Sequence, residues 1–135
     1  MISTSIYIKA QFYDIDPMNV VWHGHYARFF EQARCQLLDL IDYNYGAMEK
    51  SGYIWPIVDM QVRYVRPIKC FQEFIVTATI VEYLNRLKIK YEITDKDTSE
   101  VLTKAHTIQL AIKADTGELC IETPAIISEK IEAKI

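Results

Sequence analysis

One helix-period stretch stands among several strand-period ones, and that arrangement leaves this chain few ways to fold. Over residues 24–41, Tyr26, Phe29, Phe30, Ala33, Leu37, Leu40 and Ile41 recur at steps of three and four. Arg28, Glu31, Gln32 and Asp39 take the other side. The spacing predicts an amphipathic helix of about five turns with a wide apolar stripe. Before it, over residues 4–12, Ile6, Ile8, Ala10 and Phe12 alternate with Tyr7, Lys9 and Gln11, the mark of a half-buried strand.

After the helix, Gly46 and Gly52 bracket a short stretch with room for one more helical turn. Beyond Pro56 the period is two again. Val58, Met60, Val62 and Tyr64 oppose Asp59, Gln61, Arg63 and Val65. Residues 74–83 are apolar or β-branched almost throughout, which predicts a central strand covered on both faces. Leu87, Ile89, Tyr91 and Ile93 alternate with Lys88, Lys90, Glu92 and Thr94, and a turn cluster follows at residues 95–99. Residues 101–114 read as one long strand, and Asp115-Thr116-Gly117 signals a hairpin returning through residues 119–121. Thr123 and Pro124 suit the N-cap and first position of a C-terminal helix.

Hairpin-length connections imply antiparallel pairing. With no strand–helix–strand alternation, the single long helix must cover one face of the sheet. The expected class is therefore α+β, an antiparallel sheet of five or six strands wrapped around one long central helix. Ile75 and Val81 lie on the sheet's other face, so self-association as a homodimer or homotetramer is expected.

Composition narrows the function classes. The 135 residues suit one domain spanning the whole chain. A net charge of -3 gives no pull toward nucleic acid. Cys35, Cys70 and Cys120 form neither a CxxC nor a tight metal spacing and read as reduced thiols. No signal peptide and no membrane span is expected, and the location expected by default is the cytoplasm. There is no GxSxG elbow, no Gly-rich phosphate loop and no HExxH, so neither a metal nor another cofactor is expected.

Chemistry concentrates in residues 13–26, YDIDPMNVVWHGHY, where Asp14, Asp16, His23 and His25 precede the start of the helix. A helix N-terminus offers unpaired N–H groups and the positive end of a dipole. Such a place can hold a developing oxyanion. A carboxylate in the loop before it can activate water or attack directly. The bland alternative is turn chemistry, with Asp14 or Asp16 capping a turn and the histidines merely starting the helix.

The run D-I-D-P-M-N-V-V-W-H-G-H-Y resembles the 4-hydroxybenzoyl-CoA thioesterase family of hot-dog proteins, whose pattern is D-x-D-P-x-x-x-V-x-[H/Y]-x-x-Y and then an acid five places on. The matches are Asp14, Asp16, Pro17, Val21, His23, Tyr26 and Glu31. Residues 62–68, VRYVRPI, look like the family's strand and turn after the helix, and the resemblance spans about residues 5–125. It implies a hot-dog fold and hydrolysis of an acyl-CoA. Asp16 would be the catalytic base or nucleophile, and the His23 backbone N–H would polarise the thioester carbonyl. Histidine rather than tyrosine at 23 resembles the branch acting on aliphatic acyl-CoAs.

Further roles follow from the same resemblance. Tyr26 would pack or hydrogen-bond beside the site, and Glu31 is the second-choice acid. Arg86 and Lys88, with Lys90, would meet CoA phosphates, the alternative being a solvated strand face. Trp22, Tyr45, Tyr53 and Trp55 are candidates to line the acyl channel, the alternative being plain core or subunit contact. Acyl carrier protein stays open as the acyl carrier. A hot-dog hydratase is disfavoured because Asp16 and His23 lie seven apart rather than five. A non-catalytic acyl-CoA sensor is the remaining reading, and it is expected to need an appended DNA-binding segment.

Overall fold

A computed structural model describes residues 1–135. In chain order these form β1 (Ser3–Lys9), 3-10 turns at Phe12–Asp14 and His23–His25, α1 (Tyr26–Leu40) and α2 (Tyr45–Lys50). There follow β2 (Tyr53–Ile54), β3 (Ile57–Tyr64), β4 (Glu73–Glu82), β5 (Leu87–Asp95), β6 (Val101–Gln109), β7 (Ile112–Lys113) and α3 (Ala125–Glu132). Five strands pair antiparallel in the order β1-β4-β5-β6-β3, and β2 pairs with β7 as a separate ribbon. The long helix lies on one face of the five-stranded sheet, which is the α+β class expected from the periodicities.

The helix packs through Phe29 and Phe30. Their rings meet Phe74 at 5.2 Å and Tyr91 at 4.8 Å between centroids. Full burial of such side chains is worth about 1.5–3 kcal/mol each. Phe74, Val76, Ala78 and Ile80 of β4 and Leu87, Ile89, Tyr91 and Ile93 of β5 complete the core. No helix is long and apolar enough to cross a membrane.

Several expectations are corrected. The first strand stops at Lys9 rather than residue 12, because Ala10 N–H donates to Gln72 O and the chain turns into a 3-10 coil. Phe12, expected on the buried face, is 78% exposed. Leu40 likewise faces solvent, and Leu38 is buried in its place. β4 is covered on one face only, since Ile75, Thr77, Thr79 and Val81 stay partly exposed. The long strand of residues 101–114 breaks after Gln109, whose buried Nε2 donates to Trp55 O at 2.8 Å, and β7 leaves the sheet to pair with β2. Pro124, not Thr123, occupies the N-cap of α3; the Thr123 hydroxyl instead donates to Tyr83 O at 2.5 Å and Leu84 O at 2.7 Å.

β3 departs most. Its alternation predicts one buried face, yet Val58, Met60 and Tyr64 are all exposed. The reason is topological. β3 lies at the edge of the sheet away from β1 and β4, the strands that α1 packs against, and a bulge between Ile57 and Asp59 shifts its register.

Candidate active site

The loop before α1 is a short, fully bonded hairpin. Ile15 bridges Val21, Asp16 N–H donates to Val20 O at 2.9 Å, and Asn19 N–H donates to Asp16 O at 3.0 Å. Pro17 presets the second position of this turn, and Asn19 takes a left-handed φ of 64°. Asp16 Oδ1 accepts Met18 N–H at 2.8 Å. Its other oxygen, Oδ2, accepts no hydrogen bond from the protein. The turn thus holds the carboxyl by one oxygen and leaves the second available.

Asp14 is spent on structure. It is 3% exposed, accepts Gln11 N–H at 2.9 Å through Oδ2, and pairs through Oδ1 with Arg28 of α1 at 2.8 Å. The two carboxylates of the motif therefore have separate jobs: Asp14 ties the loop to the helix, and Asp16 faces a cleft. That cleft, about 240 Å³, is lined by Asp16, Met18, Val20, Val21, His23, Tyr26, Tyr64 and Pro67.

The opening turn of the helix borders the same cleft. Neither Trp22 nor His25, the N-caps of the 3-10 turn and of α1, makes a side-chain cap hydrogen bond. The first N–H groups of a helix have no intrahelical partner. Here no cap side chain competes for them. The Trp22 ring packs between the His23 and His25 rings, 5.4 Å and 5.3 Å between centroids.

Tyr26 lies beneath, with its ring edge-on to Tyr64 at 4.8 Å. Burial pushes the Tyr26 phenol up to about 12, against an ordinary value of about 10. The folded state therefore keeps a proton that the unfolded chain gives up. This contribution to stability is complete below about pH 10 and is lost as pH rises from about 10 to about 12. In urea melts, the stability of wild type relative to Tyr26→Phe is expected to be constant below about pH 10 and to fall from about pH 10 to about pH 12. Parallel pH slopes for the two would rule Tyr26 out as the source.

Other residues singled out from the sequence lie elsewhere. Glu31 faces solvent on α1 and comes no closer than 4.0 Å to Arg34. Arg86 is committed to Glu82 at 3.0 Å. Lys88 lines a groove of about 530 Å³ with Arg63, Lys90, Lys104 and His106. By strand alternation this groove lies on the sheet face away from α1. None of those four Lys and Arg side chains is in an ion pair, whereas His106 lies 3.5 Å from Asp59. Tyr45, Tyr53 and Trp55 line a third, mostly apolar groove of about 430 Å³. Its residues follow the C-terminal end of α1, and it shares no lining residue with the Asp16 cleft. None of the proposed channel aromatics lines the cleft; Trp22 touches it only through its ring contact with His23.

The sequence reading missed Tyr64 as a site residue and Arg34 altogether. Tyr64 falls within the stretch VRYVRPI at 62–68, but nothing local marks it as facing residue 23.

A sheet holding one long helix, with a carboxylate at that helix's mouth, defines the hot-dog thioesterase class. The model of the thioesterase-like superfamily matches residues 10–135, and the chain belongs to that family. The "Putative acyl-CoA thioesterase YneP" of Bacillus subtilis (strain 168) is 28% identical over 115 residues, covering 85% of this chain and 77% of that one. The DHNA-CoA thioesterase of Staphylococcus aureus superposes with a TM-score of 0.85 at 30% identity, covering 98% of this chain and 91% of that one. The fold is shared as well with the 1,4-dihydroxy-2-naphthoyl-CoA thioesterase Slr0204 of Synechocystis, at a TM-score of 0.83 and 18% identity, covering 96% and 95% of the two chains.

Proposed function

We propose that this thioesterase hydrolyses a small or aliphatic acyl-CoA at the Asp16 cleft. The observation that carries the reading is the free Oδ2 of Asp16 in one cleft with the uncapped opening turn at His23. A carboxylate there can take a proton from water as the water oxygen adds to the thioester carbon. The carbonyl oxygen gains negative charge, and backbone N–H groups at the turn stabilise it. Collapse breaks the C–S bond, and the proton held by Asp16 passes to the departing CoA sulfur. In the alternative route Asp16 itself adds, CoA thiolate leaves, and water hydrolyses the mixed anhydride. Label found in Asp16 after a single turnover in H₂¹⁸O would establish the anhydride route, since only water attacking the Asp16 carbonyl of the anhydride can leave it there.

The anionic end of the carrier fits the groove of Lys88, Lys90, Lys104 and Arg63. Both CoA phosphates and an acidic carrier protein share that chemistry. The small cleft and the separate aromatic groove suit a homo-oligomer, in which a second copy brings its own Tyr45, Tyr53 and Trp55 toward the site. The apolar, unpaired edge of β3 is the surface for that association. Sedimentation is expected to report a dimer or tetramer.

The direct test is thiol release across a panel of CoA esters differing in acyl length and aromaticity. Release of free CoA with saturable kinetics on short or aliphatic esters is expected. Binding without release would favour a sensor. Hydration of an enoyl-CoA without release would favour a hydratase.

A further inference from the structure

Tyr64 reaches the opening turn of the helix from the edge of the sheet. It sits at the end of β3, paired in register with Thr103 of β6. Its hydroxyl donates to His23 O at 3.3 Å. Its ring rests edge-on against Tyr26.

The peptide bond is planar, so the His23 carbonyl and the Gly24 N–H belong to one rigid unit and point in opposite directions. A donor behind the carbonyl fixes that plane. It also polarises the N–H in front, because hydrogen bonds in a chain strengthen one another. The preceding peptide is held in the same way: His25 N–H donates to Trp22 O at 3.0 Å, which anchors the unit carrying the His23 N–H. Two consecutive amides are thus tied from behind, one by the helix itself and one by the sheet.

Gly24 supports this arrangement. A Cβ at that position would come within 2.4 Å of the Trp22 ring, so the indole fills the space a side chain would take. Burial raises the Tyr64 phenol above its ordinary range, so it remains a donor throughout neutral pH.

We propose that Tyr64 is a positioning residue for thioester hydrolysis: its hydroxyl, donated to the His23 carbonyl, locks the His23–Gly24 peptide so that the N–H groups of the opening turn meet the substrate's carbonyl oxygen. The inference rests on the Asp16 cleft being the active site. It adds a role for a residue on the edge strand, 41 positions from its acceptor.

Tyr64→Phe keeps the ring and its contact with Tyr26 and removes the hydroxyl alone. Loss of a direct oxyanion donor costs about 10²–10³ in kcat. A donor that stays but is less well aimed costs less, so Tyr64→Phe is expected to lower kcat about tenfold. KM is expected to stay within about twofold and the melting temperature close to that of wild type. A merely structural role would not move the second readout. In an Asp16→Asn background, which holds acyl-CoA without turning it over, the bound carbonyl stretch is expected to lie below that of free acyl-CoA. Adding Tyr64→Phe is expected to return it part of the way.

Unchanged kcat, a loss confined to KM, or an unmoved carbonyl stretch would overturn the proposal. The single variants separate its failure from that of the cleft. An inert Asp16→Asn beside a normal Tyr64→Phe removes Tyr64 alone. An active Asp16→Asn removes the cleft reading, and Tyr64's role with it.

Discussion

Asp16→Asn is expected to lower kcat by about 10³-fold on the best thioester substrate, the scale of losing a positioned base. Far-UV circular dichroism and oligomeric size are expected to stay unchanged. The amide still accepts the Met18 N–H through its oxygen, so the turn keeps its bond. What disappears is the free Oδ2, the carboxylate oxygen placed to take a proton from water or to attack. Asp14→Asn supplies the contrast. Its carboxylate is buried and bonded to Arg28 and Gln11. Arg28 is half exposed and stays hydrated without its partner, so losing that charge is expected to cost about 1–2 kcal/mol of stability, while folded molecules keep their turnover. Near-wild-type rates for Asp16→Asn would dismiss both the base and the nucleophile roles.

Arg34→Ala is expected to produce a large loss of stability, about 3 kcal/mol. For a domain of this size that is a fall of about 10 °C in melting temperature. Arg34 is 6% exposed on the inward face of α1. Its Nε donates to the Tyr45 hydroxyl at 2.8 Å and its Nη1 to the Tyr91 hydroxyl at 3.1 Å, and Tyr91 in turn shares a hydrogen bond of 2.8 Å with Thr107. Burial alone works against the charge. The oxygens of Tyr91 and Tyr45 more than offset it, and the guanidinium's pKa is held above its ordinary value.

Alanine would leave two phenol oxygens without their donor and a cavity between helix and sheet. Arg34→Lys keeps the charge but lacks the planar fork that reaches both phenols, so an intermediate loss is expected. In a double-mutant cycle with Tyr91→Phe, the two losses are expected to be less than additive. A change below about 1 kcal/mol for Arg34→Ala would mean that the network is dispensable.

Arg34 also marks the limit of reading a helix by its apolar stripe. It stands four residues after Phe30 and three before Leu37, so its position on the buried face follows from the same steps. The stripe counts apolar residues, however, and a charge there is intelligible only with Tyr91, 57 positions on. Lys88 and Arg86 teach the same lesson. The sequence groups them as one run beside a ligand's phosphates, yet Arg86 is paired with Glu82, and only Lys88 lines the groove behind the sheet with the unpaired Arg63, Lys90 and Lys104. Arg86 stands in the bend before β5 while Lys88 is on the strand, and only the position of the helix says which face of that strand Lys88 takes.

The sequence by itself determined what is local. The switch between periods of two and 3.6 specifies one long helix among antiparallel strands. The short span from Asp16 to His23, closed by a proline turn, brings carboxylate and helix mouth together wherever the rest of the chain goes. The tertiary structure decided what is distant: that β3 lies at an edge, that Tyr64 reaches His23, and that Arg34 finds its phenols. Strand order sets these contacts. Alternation reports which side chains share a face, but not which strand lies beside which, because every antiparallel neighbour offers the same backbone hydrogen bonds.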